Sequence, residues 1–230
     1  MDARRNLLLA AFPAADWLRW SPHLEPVEVP LGMVLCESGD TASHVFFPTT
    51  AIVSLLNVLK SGASAEIAIV GNEGVVGVPL FLGGASTRSR AVVQSGGEGF
   101  RMNSQTIKEE LIRAAPVRHL LLRYTQALIA QVGQTAVCNR HHSLDQQLCR
   151  WLLLSLDRLE TNEILMTQEL ISNMLGVRRE GVTEGAIKLQ QAGVIHYSRG
   201  RVTVLDRHRL EGRACECYAQ IRTEYQRLLD

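Results

Sequence analysis

The sequence has almost no net charge and no long hydrophobic run. Its 24 Lys and Arg side chains nearly balance 23 Asp and Glu, which leaves a formal net charge of +1. The chain therefore lacks the overall positive field that draws some proteins to nucleic acid or acidic membranes. No apolar stretch is long enough to cross a bilayer, and the short run 7–12 follows Arg4 and Arg5 without a signal-type cleavage region. We therefore expect a cytoplasmic protein with no membrane partner.

Cysteine is also sparse, and its spacing offers no disulfide framework and no common zinc motif. The five cysteines are Cys36, Cys138, Cys149, Cys215 and Cys217, with no CxxC pair among them. An odd number in a cytoplasmic chain argues against a disulfide framework. Cys215 and Cys217 would point in different directions on a helix. We therefore predict buried or neutral thiols, with no metal and no cofactor.

One metal-binding alternative stays open near the middle of the chain. Cys138 and His142 are four residues apart on a predicted helix, so their side chains can share a metal ion. His141 and Cys149 lie close by in the sequence. In the competing interpretation, both histidines are solvated or contact a DNA backbone.

Catalytic motifs are absent as well. No nucleophile with its base, no paired acids and no phosphate loop occur at motif spacing, and the glycines do not form a GxxxxGK pattern. The sequence therefore disfavours an enzyme. A ligand-binding or protein-interaction module stays open as an alternative, and salt-sensitive binding to a palindromic duplex distinguishes a DNA-binding protein from it.

The segment 166–205 has the layout of a winged helix-turn-helix. Thr167 can cap a first helix, and Gly176 can adopt the left-handed backbone of the tight turn that ends it. A second helix is predicted to start near Arg178, followed by a short hairpin with Gly200 at its tip. Such an arrangement presents one exposed helix to a DNA major groove.

Polar side chains cluster where this motif contacts DNA. Arg179 can bind guanine through two hydrogen bonds, and Glu180 can accept one from cytosine N4. Between positions 176 and 209 the chain has seven Lys/Arg and three Asp/Glu, a local excess of positive charge. The competing interpretation is a solvated helix with ordinary charges. The predicted DNA-binding residues are Thr167, Gln168, Arg178, Arg179, Glu180, Thr183, Glu184, Arg199 and Arg201.

The first half of the chain has the pattern of β-structure. Short apolar or β-branched runs alternate with turn residues at roughly ten-residue spacing. The runs are 27–30, 33–36, 44–47, 51–59, 65–70, 89–94 and 98–102. This pattern predicts a small barrel or sandwich, and a barrel of this size can enclose one small ligand.

A long helix is predicted next, over 115–139. Apolar and small side chains recur along it at coiled-coil spacing, which predicts a seam between two copies of the chain. In the alternative, the helix packs on its own barrel. The predicted seam residues are Leu121, Thr125, Leu128, Val132 and Thr135.

The predicted fold class is α+β, in four parts. Ser143 is the predicted cap of a helix over 144–159, so the DNA-binding domain begins there. The last segment has apolar residues at helical intervals and is expected to pack on the DNA-binding domain. The parts are a sensor barrel 1–114, a dimerisation helix and hinge 115–142, a winged helix-turn-helix 143–205 and a C-terminal helical extension 206–230.

Two motifs carry a resemblance over nearly the whole chain. The GVRREGVTE segment 176–184 and the ESGD turn 37–40 resemble those of the cyclic-AMP receptor protein and fumarate-nitrate reductase regulator (Crp/Fnr) superfamily. The resemblance implies an N-terminal cyclic-nucleotide-binding-like β-barrel of the jelly-roll (double-stranded β-helix) type. It also implies a homodimeric transcription regulator that binds an inverted repeat of double-stranded DNA, with RNA polymerase as a further partner. Arg179 and Glu180 match the family's base-reading pair. Glu184 departs, because many relatives have arginine there.

The implied effector site departs further from the family. By resemblance, the effector-binding residues are Arg88, Ser89 and Arg90, of which Arg90 can pair a phosphate. The preceding segment 77–80 lacks the glutamate that accepts from the ribose hydroxyl, a loss of about 1–3 kcal/mol. A degenerate cassette of this kind disfavours a cyclic nucleotide relative to another small ligand or none.

Two other sensor chemistries of the superfamily receive little support. An iron–sulfur cluster needs several N-terminal cysteines, and only Cys36 precedes position 138. Haem needs an axial ligand, for which His23, His44 and His119 are candidates. A lone histidine is more often an ordinary surface or core residue.

Overall fold

The computed structural model describes residues 1–84 and 86–229. Ala85, in the predicted sensor barrel, and Asp230, the last residue of the predicted extension, lie outside the described residues. The strands are β1 Glu25–Val29, β2 Val34–Cys36, β3 His44–Pro48, β4 Ile52–Val58, β5 Ser64–Val70, β6 Ser89–Ser95, β7 Gly97–Asn103, β8 Glu163–Leu165, β9 Ile195–Ser198 and β10 Arg201–Val204. The helices are α1 Leu7–Ala10, α2 Ala14–Trp20, α3 Ser104–Arg113, α4 Ala115–His141, α5 Leu144–Leu156, α6 Gln168–Leu175, α7 Arg179–Gln191, α8 Arg207–Glu211 and α9 Cys217–Leu229.

Strands β1 to β7 form two antiparallel sheets, which we call the β domain. The strand orders are β1-β7-β3 and β2-β6-β4-β5. Side chains from both sheets, such as Phe47, Ile52 and Ile69, are almost fully buried in one hydrophobic cluster. Among the described residues no ladder joins the two sheets into a closed cylinder, so the domain is a jelly-roll sandwich. The predicted α+β class is confirmed.

Helix α3 is absent from the sequence-based prediction. The Asn103 side chain accepts a hydrogen bond from Gln105 N at 2.8 Å and so caps the helix. Ile107 and Leu111, four residues apart, bury its inner side. The sequence offers little sign of the start of this helix, because strand β7 ends at Asn103, the capping residue itself.

Helix α4 turns its predicted seam inward. Leu121, Thr125, Leu128 and Thr135 are all buried within the subunit. The fifth seam residue, Val132, is half-buried and lines a cavity of the β domain. Within one subunit, the packing of α4 on its own chain therefore covers four of the five predicted seam residues.

The opposite side of α4 carries exposed apolar side chains. Leu122, Ile129 and Val137 are 47%, 65% and 51% exposed. Gly133 lies among them, and a Cβ built there would meet no atom within 4 Å. These positions are seven, four and four residues apart, so they form one stripe along the helix. We call Leu122, Ile129, Gly133 and Val137 the outer stripe.

Helix α9 lies along α4. The sequence analysis had instead predicted that this segment packs on the DNA-binding domain. Tyr225 Oη donates a hydrogen bond to Gln131 Oε1 at 3.1 Å. The Tyr225 ring meets the Tyr124 ring edge to face, with centroids 6.4 Å apart. The expectation for this segment is corrected because the apolar face of α9 finds its partner on α4, while α8 packs on α5.

The C-terminal half contains the winged helix-turn-helix. Ser143 forms a capping box with Gln146 and starts α5 as predicted, although α5 ends three residues before position 159. A Cβ at Gly181 would lie 2.6 Å from the Leu144 side chain, and one at Gly185 would lie 3.2 Å from Leu148. The two glycines therefore let α7 approach α5 closely. None of the described helices is long and apolar enough to span a bilayer.

Candidate nucleic-acid interface

The turn between α6 and α7 has the predicted geometry. Thr167 Oγ1 accepts a hydrogen bond from Leu170 N at 3.2 Å and so caps α6. Gly176 adopts φ 67° and ψ 33°, the left-handed conformation that ends a helix without a Cβ clash. A Cβ at Gly176 would lie 3.1 Å from Ala65 Cβ on β5. The turn therefore also rests against the β domain.

Helix α7 presents polar residues outward at its N-terminal end. Arg178, Arg179 and Glu180 are exposed, and Glu184 is exposed one turn later. The inner face is apolar or small and packs on the domain; its buried residues are Val182, Gly185, Ala186 and Leu189. The first turns of α7 are therefore open to a major groove, as a recognition helix requires.

Two other predicted contact residues are partly used within the protein. Thr183 Oγ1 lies 2.8 Å from Gln168 Oε1 and 3.0 Å from Arg179 O. Both Thr183 and Gln168 are half-buried, and their contact joins α6 to α7. The Gln168 amide still has two N–H donors to offer. These residues present less polar surface to a partner than Arg178 and Arg179 do.

The wing is a tight hairpin with an arginine at its tip. Arg199 and Gly200 adopt φ of 47° and 76°, the pair of positive values that suits a two-residue hairpin turn. A left-handed conformation costs a residue with a Cβ roughly 1–2 kcal/mol. The exposed Arg199 stands where a wing meets phosphates. Arg201, unlike Arg199, forms an ion pair within the protein: its Nη1 lies 2.6 Å from Glu163 Oε2 on β8.

Three arginines on this surface carry uncompensated charge. Arg178, Arg179 and Arg199 form no ion pair with any of residues 1–84 and 86–229. They can therefore neutralise phosphates or bind base edges. Glu180 and Glu184 lie one turn apart on α7, and their charge opposes unselective attraction to DNA.

A cavity of about 440 Å³ lies inside the β domain, closed on one side by α4. Aliphatic side chains dominate its lining, among them Val27, Val34, Leu55, Val78, Leu128 and Val132. No Asp or Glu lines it within the described part of the chain. Of the histidines considered as haem ligands, His44 lines the cavity, and its Nδ1 lies 2.9 Å from Ser43 Oγ. Arg101 also lines the cavity, and its Nε donates a hydrogen bond to Glu25 Oε2 at 2.9 Å. The lining suits a largely apolar ligand.

The predicted effector residues lie in different surroundings. Ser89 lines the cavity. Arg90 Nη2 lies 3.1 Å from Glu37 Oε1, and that ion pair is outside the cavity lining. Arg88 is exposed and also lies outside the lining. The segment 77–80 reaches the cavity with aliphatic side chains where the family has its glutamate.

Comparisons with known proteins agree with this geometry. Residues 146–213 match the Crp-like helix-turn-helix domain. No curated protein sequence matches the chain significantly. A transcriptional regulator of the crp/fnr family from Eubacterium rectale is 19% identical, with a TM-score of 0.71 over 91% of this chain and 98% of that one.

Two further solved structures share the fold. FixK2 from Bradyrhizobium japonicum is 16% identical, with a TM-score of 0.69 over 84% of this chain and 98% of that one. The c-di-GMP-responsive global regulator CLP from Xanthomonas campestris is 15% identical, with a TM-score of 0.66 over 84% and 99%.

The recognition helix, the wing and the domain match define a DNA-binding regulator of the helix-turn-helix class. More particularly, the chain has a Crp-like helix-turn-helix domain, and its fold is that of the Crp/Fnr regulators.

Proposed function

We propose that two copies of the chain bind an inverted-repeat operator, with their recognition helices in successive major grooves. Arg178 and Arg179 at the start of α7 support this proposal, because both are exposed and neither forms an ion pair within the described residues. Their guanidinium groups are therefore available to base edges. Arg179 takes the guanine contact, Glu180 accepts from cytosine, and Arg199 meets a phosphate. Glu184 cannot make the guanine contact of the arginine that many relatives have there, so the operator differs from the common family site.

Arg179→Ala should weaken binding to the operator by about 1–3 kcal/mol and relax specificity at one base position. The reason is the loss of two hydrogen bonds to one guanine, a contact that random DNA does not offer. The operator is first recovered by selection from random duplexes. Fluorescence anisotropy on that duplex and on matched single-base variants then measures both effects.

Arg199→Ala is the matched control for this experiment. It removes a phosphate contact, so it should weaken binding to the operator and to random DNA alike and reduce the salt slope by about one. If Arg179→Ala behaves in the same way, Arg179 contacts only the backbone and the base-reading assignment is wrong. If selection recovers no enriched site, the proposal that the protein binds a specific operator is wrong.

The outer stripe of α4 is the proposed dimer contact. It is apolar, it faces away from the subunit core, and Gly133 allows the second helix to approach closely. Its residues are seven, four and four positions apart, which keeps them on one side of the helix beside the predicted seam. The proposal therefore keeps the predicted helix as the dimer element and changes the face it uses.

Ile129→Glu should weaken the dimer by about 100-fold or more. Each copy loses one isoleucine, worth about 1.5–3 kcal/mol when fully buried, and two like charges face each other. Sedimentation velocity across a concentration series measures the change. Ile112→Glu on α3 is the control, because Ile112 is 79% exposed and lies off the stripe. If the two variants dimerise equally well, the outer stripe of α4 is not part of the dimer interface.

The cavity is the proposed input site for regulation. Leu128, Ile129 and Val132 of α4 line it. Ile129 belongs to the outer stripe as well, so one side chain borders both the cavity and the proposed dimer contact. A ligand there contacts the helix that joins the two copies, and it can shift the relative position of the two reading heads. CLP is described as responsive to c-di-GMP; the aliphatic lining here favours an apolar molecule instead.

The remaining parts of the proposal follow from the regulator class. We place the protein in the cytoplasm and include RNA polymerase among its partners, because a bound regulator acts on polymerase. We retain the division into 1–114, 115–142, 143–205 and 206–230. It is supported by the start of α4 at Ala115 and the cap of α5 at Ser143.

A further inference from the structure

Four metal-ligating side chains converge at the hinge between α4 and α5. Cys138 and His142 lie at the end of α4, and Cys215 and Cys217 lie at the start of α9. Their sulfur and ring-nitrogen atoms all lie within 4.8 Å of one another. The three cysteines are buried in a cluster of their own, separate from the main core. Cys149, which the sequence had placed near them, is not a member.

Cys215 and Cys217 reach the same point because they do not share a helix. Helix α9 begins at Cys217, and Cys215 lies in the non-helical segment before it. The divergence expected of two residues on one helix therefore does not apply. Cys138 lies in the last turn of α4 and His142 is its C-cap residue, so the two are about one turn apart.

The distances within the group match a tetrahedral zinc site. Cys138 Sγ lies 3.5 Å from Cys215 Sγ, and Cys217 Sγ lies 3.4 Å from His142 Nδ1. Zinc with bonds of about 2.3 Å to sulfur and 2.0–2.1 Å to nitrogen separates its ligand atoms by about 3.5–3.8 Å. These pairs therefore already stand near the edges of such a tetrahedron. A disulfide instead needs the two sulfurs at about 2.05 Å.

Outer contacts orient two of the four ligands. Gln134 Nε2 donates a hydrogen bond to Cys217 Sγ at 3.0 Å. His142 Nε2 lies 3.3 Å from Glu216 Oε1, which leaves Nδ1 directed at the sulfurs. A carboxylate on the far nitrogen of a ligating histidine is a recurrent support of zinc sites.

Buried charge gives an independent reason for a metal. Arg150 is 4% exposed, and it forms no ion pair within the described residues. Its Nη1 donates to Thr135 Oγ1, one turn before Cys138, and its Nε has no partner. A buried cation needs negative charge nearby, and Arg150 acts on the buried Glu66 carboxyl. Zinc bound to three thiolates and a neutral imidazole has one net negative charge and adds to that compensation.

We propose that Cys138, His142, Cys215 and Cys217 bind a structural Zn²⁺ ion that joins the hinge end of α4 to the start of α9. Sulfur-rich, four-coordinate sites select zinc over magnesium or calcium. The three thiols lose their protons to solvent as the three Zn–S bonds form, and His142 binds in its neutral form. All four positions are filled by the protein, so the metal stabilises structure and leaves no position for a substrate.

Metal analysis of the untagged full-length protein is the direct test. Mass spectrometry of the native protein should find about one zinc ion per chain, and Co²⁺ exchanged into it should show the visible bands of tetrahedral cobalt thiolate. Protein that stays without zinc after incubation with ZnCl₂ overturns the proposal. A Cys138–Cys215 disulfide, or iron with sulfide in place of zinc, overturns it equally.

Variants assign the ligands. His142→Gln removes a ligand from a partly exposed position, so it should fold and yet weaken zinc binding at least about tenfold. Cys217→Ser removes a buried ligand and should do the same. Cys36→Ala and Cys149→Ala are controls and should keep their zinc. A chelator should lower Tm for the native protein and both controls, and it should remove zinc from His142→Gln at a lower chelator concentration. An unchanged zinc affinity in His142→Gln would refute the assignment.

Discussion

Replacement of Arg158 by methionine should lower the free energy of unfolding by about 3–5 kcal/mol. The Arg158 side chain is 6% exposed, and its Nη2 lies 2.7 Å from Glu73 Oε1. Methionine fills similar space but leaves the Glu73 carboxylate, 14% exposed, without its partner. A carboxylate that is removed from water and unpaired is the source of the loss. Urea unfolding followed by tryptophan fluorescence measures it.

Two comparisons isolate burial as the cause. In the double variant with Glu73→Gln the unpaired charge is absent, so part of the loss should return. Arg227→Met breaks an ion pair of the same type with Glu224, in which the two side chains are 55% and 27% exposed. Because water screens this pair, its loss should cost far less than the loss of the inner pair. Similar losses for the Arg158 and Arg227 variants would show that the inner pair is effectively solvated.

The Arg158–Glu73 pair also connects two functional parts. Glu73 belongs to a turn of the β domain, and Arg158 follows α5 of the DNA-binding domain. A Cβ at Gly71 in the same turn would lie 2.6 Å from Arg158 Cγ, so the turn needs glycine to approach the arginine. The pair therefore contributes to the fixed position of the DNA-binding domain against the β domain.

Glu66→Gln should stabilise the protein above pH 7 by about 3 kcal/mol and remove a pH dependence. Burial raises the pKa of the Glu66 carboxyl to about 7, and the Ser54 hydrogen bond and the charges of Arg150 and Arg158 offset this only in part. The folded state therefore holds a proton between pH 4.5 and 7, where the unfolded chain has lost it. Stability is full below that window and falls as the pH rises through it.

The hydrogen bonds around Glu66 agree with a protonated carboxyl. Ser54 Oγ lies 2.5 Å from Glu66 Oε2 and 2.8 Å from Gln94 Oε1, and Gln94 Nε2 donates to Ser155 Oγ at 2.8 Å. A hydroxyl has one proton, so Ser54 donates to Gln94 and accepts from Glu66. This chain of bonds runs from β5 through β4 and β6 to α5. It is a second buried link between the β domain and the DNA-binding domain.

Unfolding free energies from pH 5 to pH 9 check this prediction. The native protein should lose stability across the window, and Glu66→Gln should lose the part of that slope that comes from residue 66, because the amide cannot ionise. Glu28→Gln on β1, which is exposed, is the control and should keep the native slope. Parallel curves for the native protein and Glu66→Gln would show that Glu66 is ionised in the fold.

Local patterns determined much of the architecture. Thr167 and Ser143 begin helices because their side chains satisfy backbone N–H groups within a few residues. Gly176 ends a helix because its own backbone tolerates a positive φ. The short strands of the β domain are likewise predicted by local patterns, namely apolar or β-branched runs separated by turn residues. Each of these signals is complete within a few positions, so the sequence by itself specifies it.

The tertiary structure alone decided which surfaces these elements use. Leu121 and Ile129 are both apolar on α4, yet one is buried and the other is exposed, because the β domain and α9 cover a single side of the helix. Cys138 meets Cys215 across 77 positions, and Arg201 meets Glu163 across 38. No local pattern contains such pairs, since their members become neighbours only when distant segments pack together.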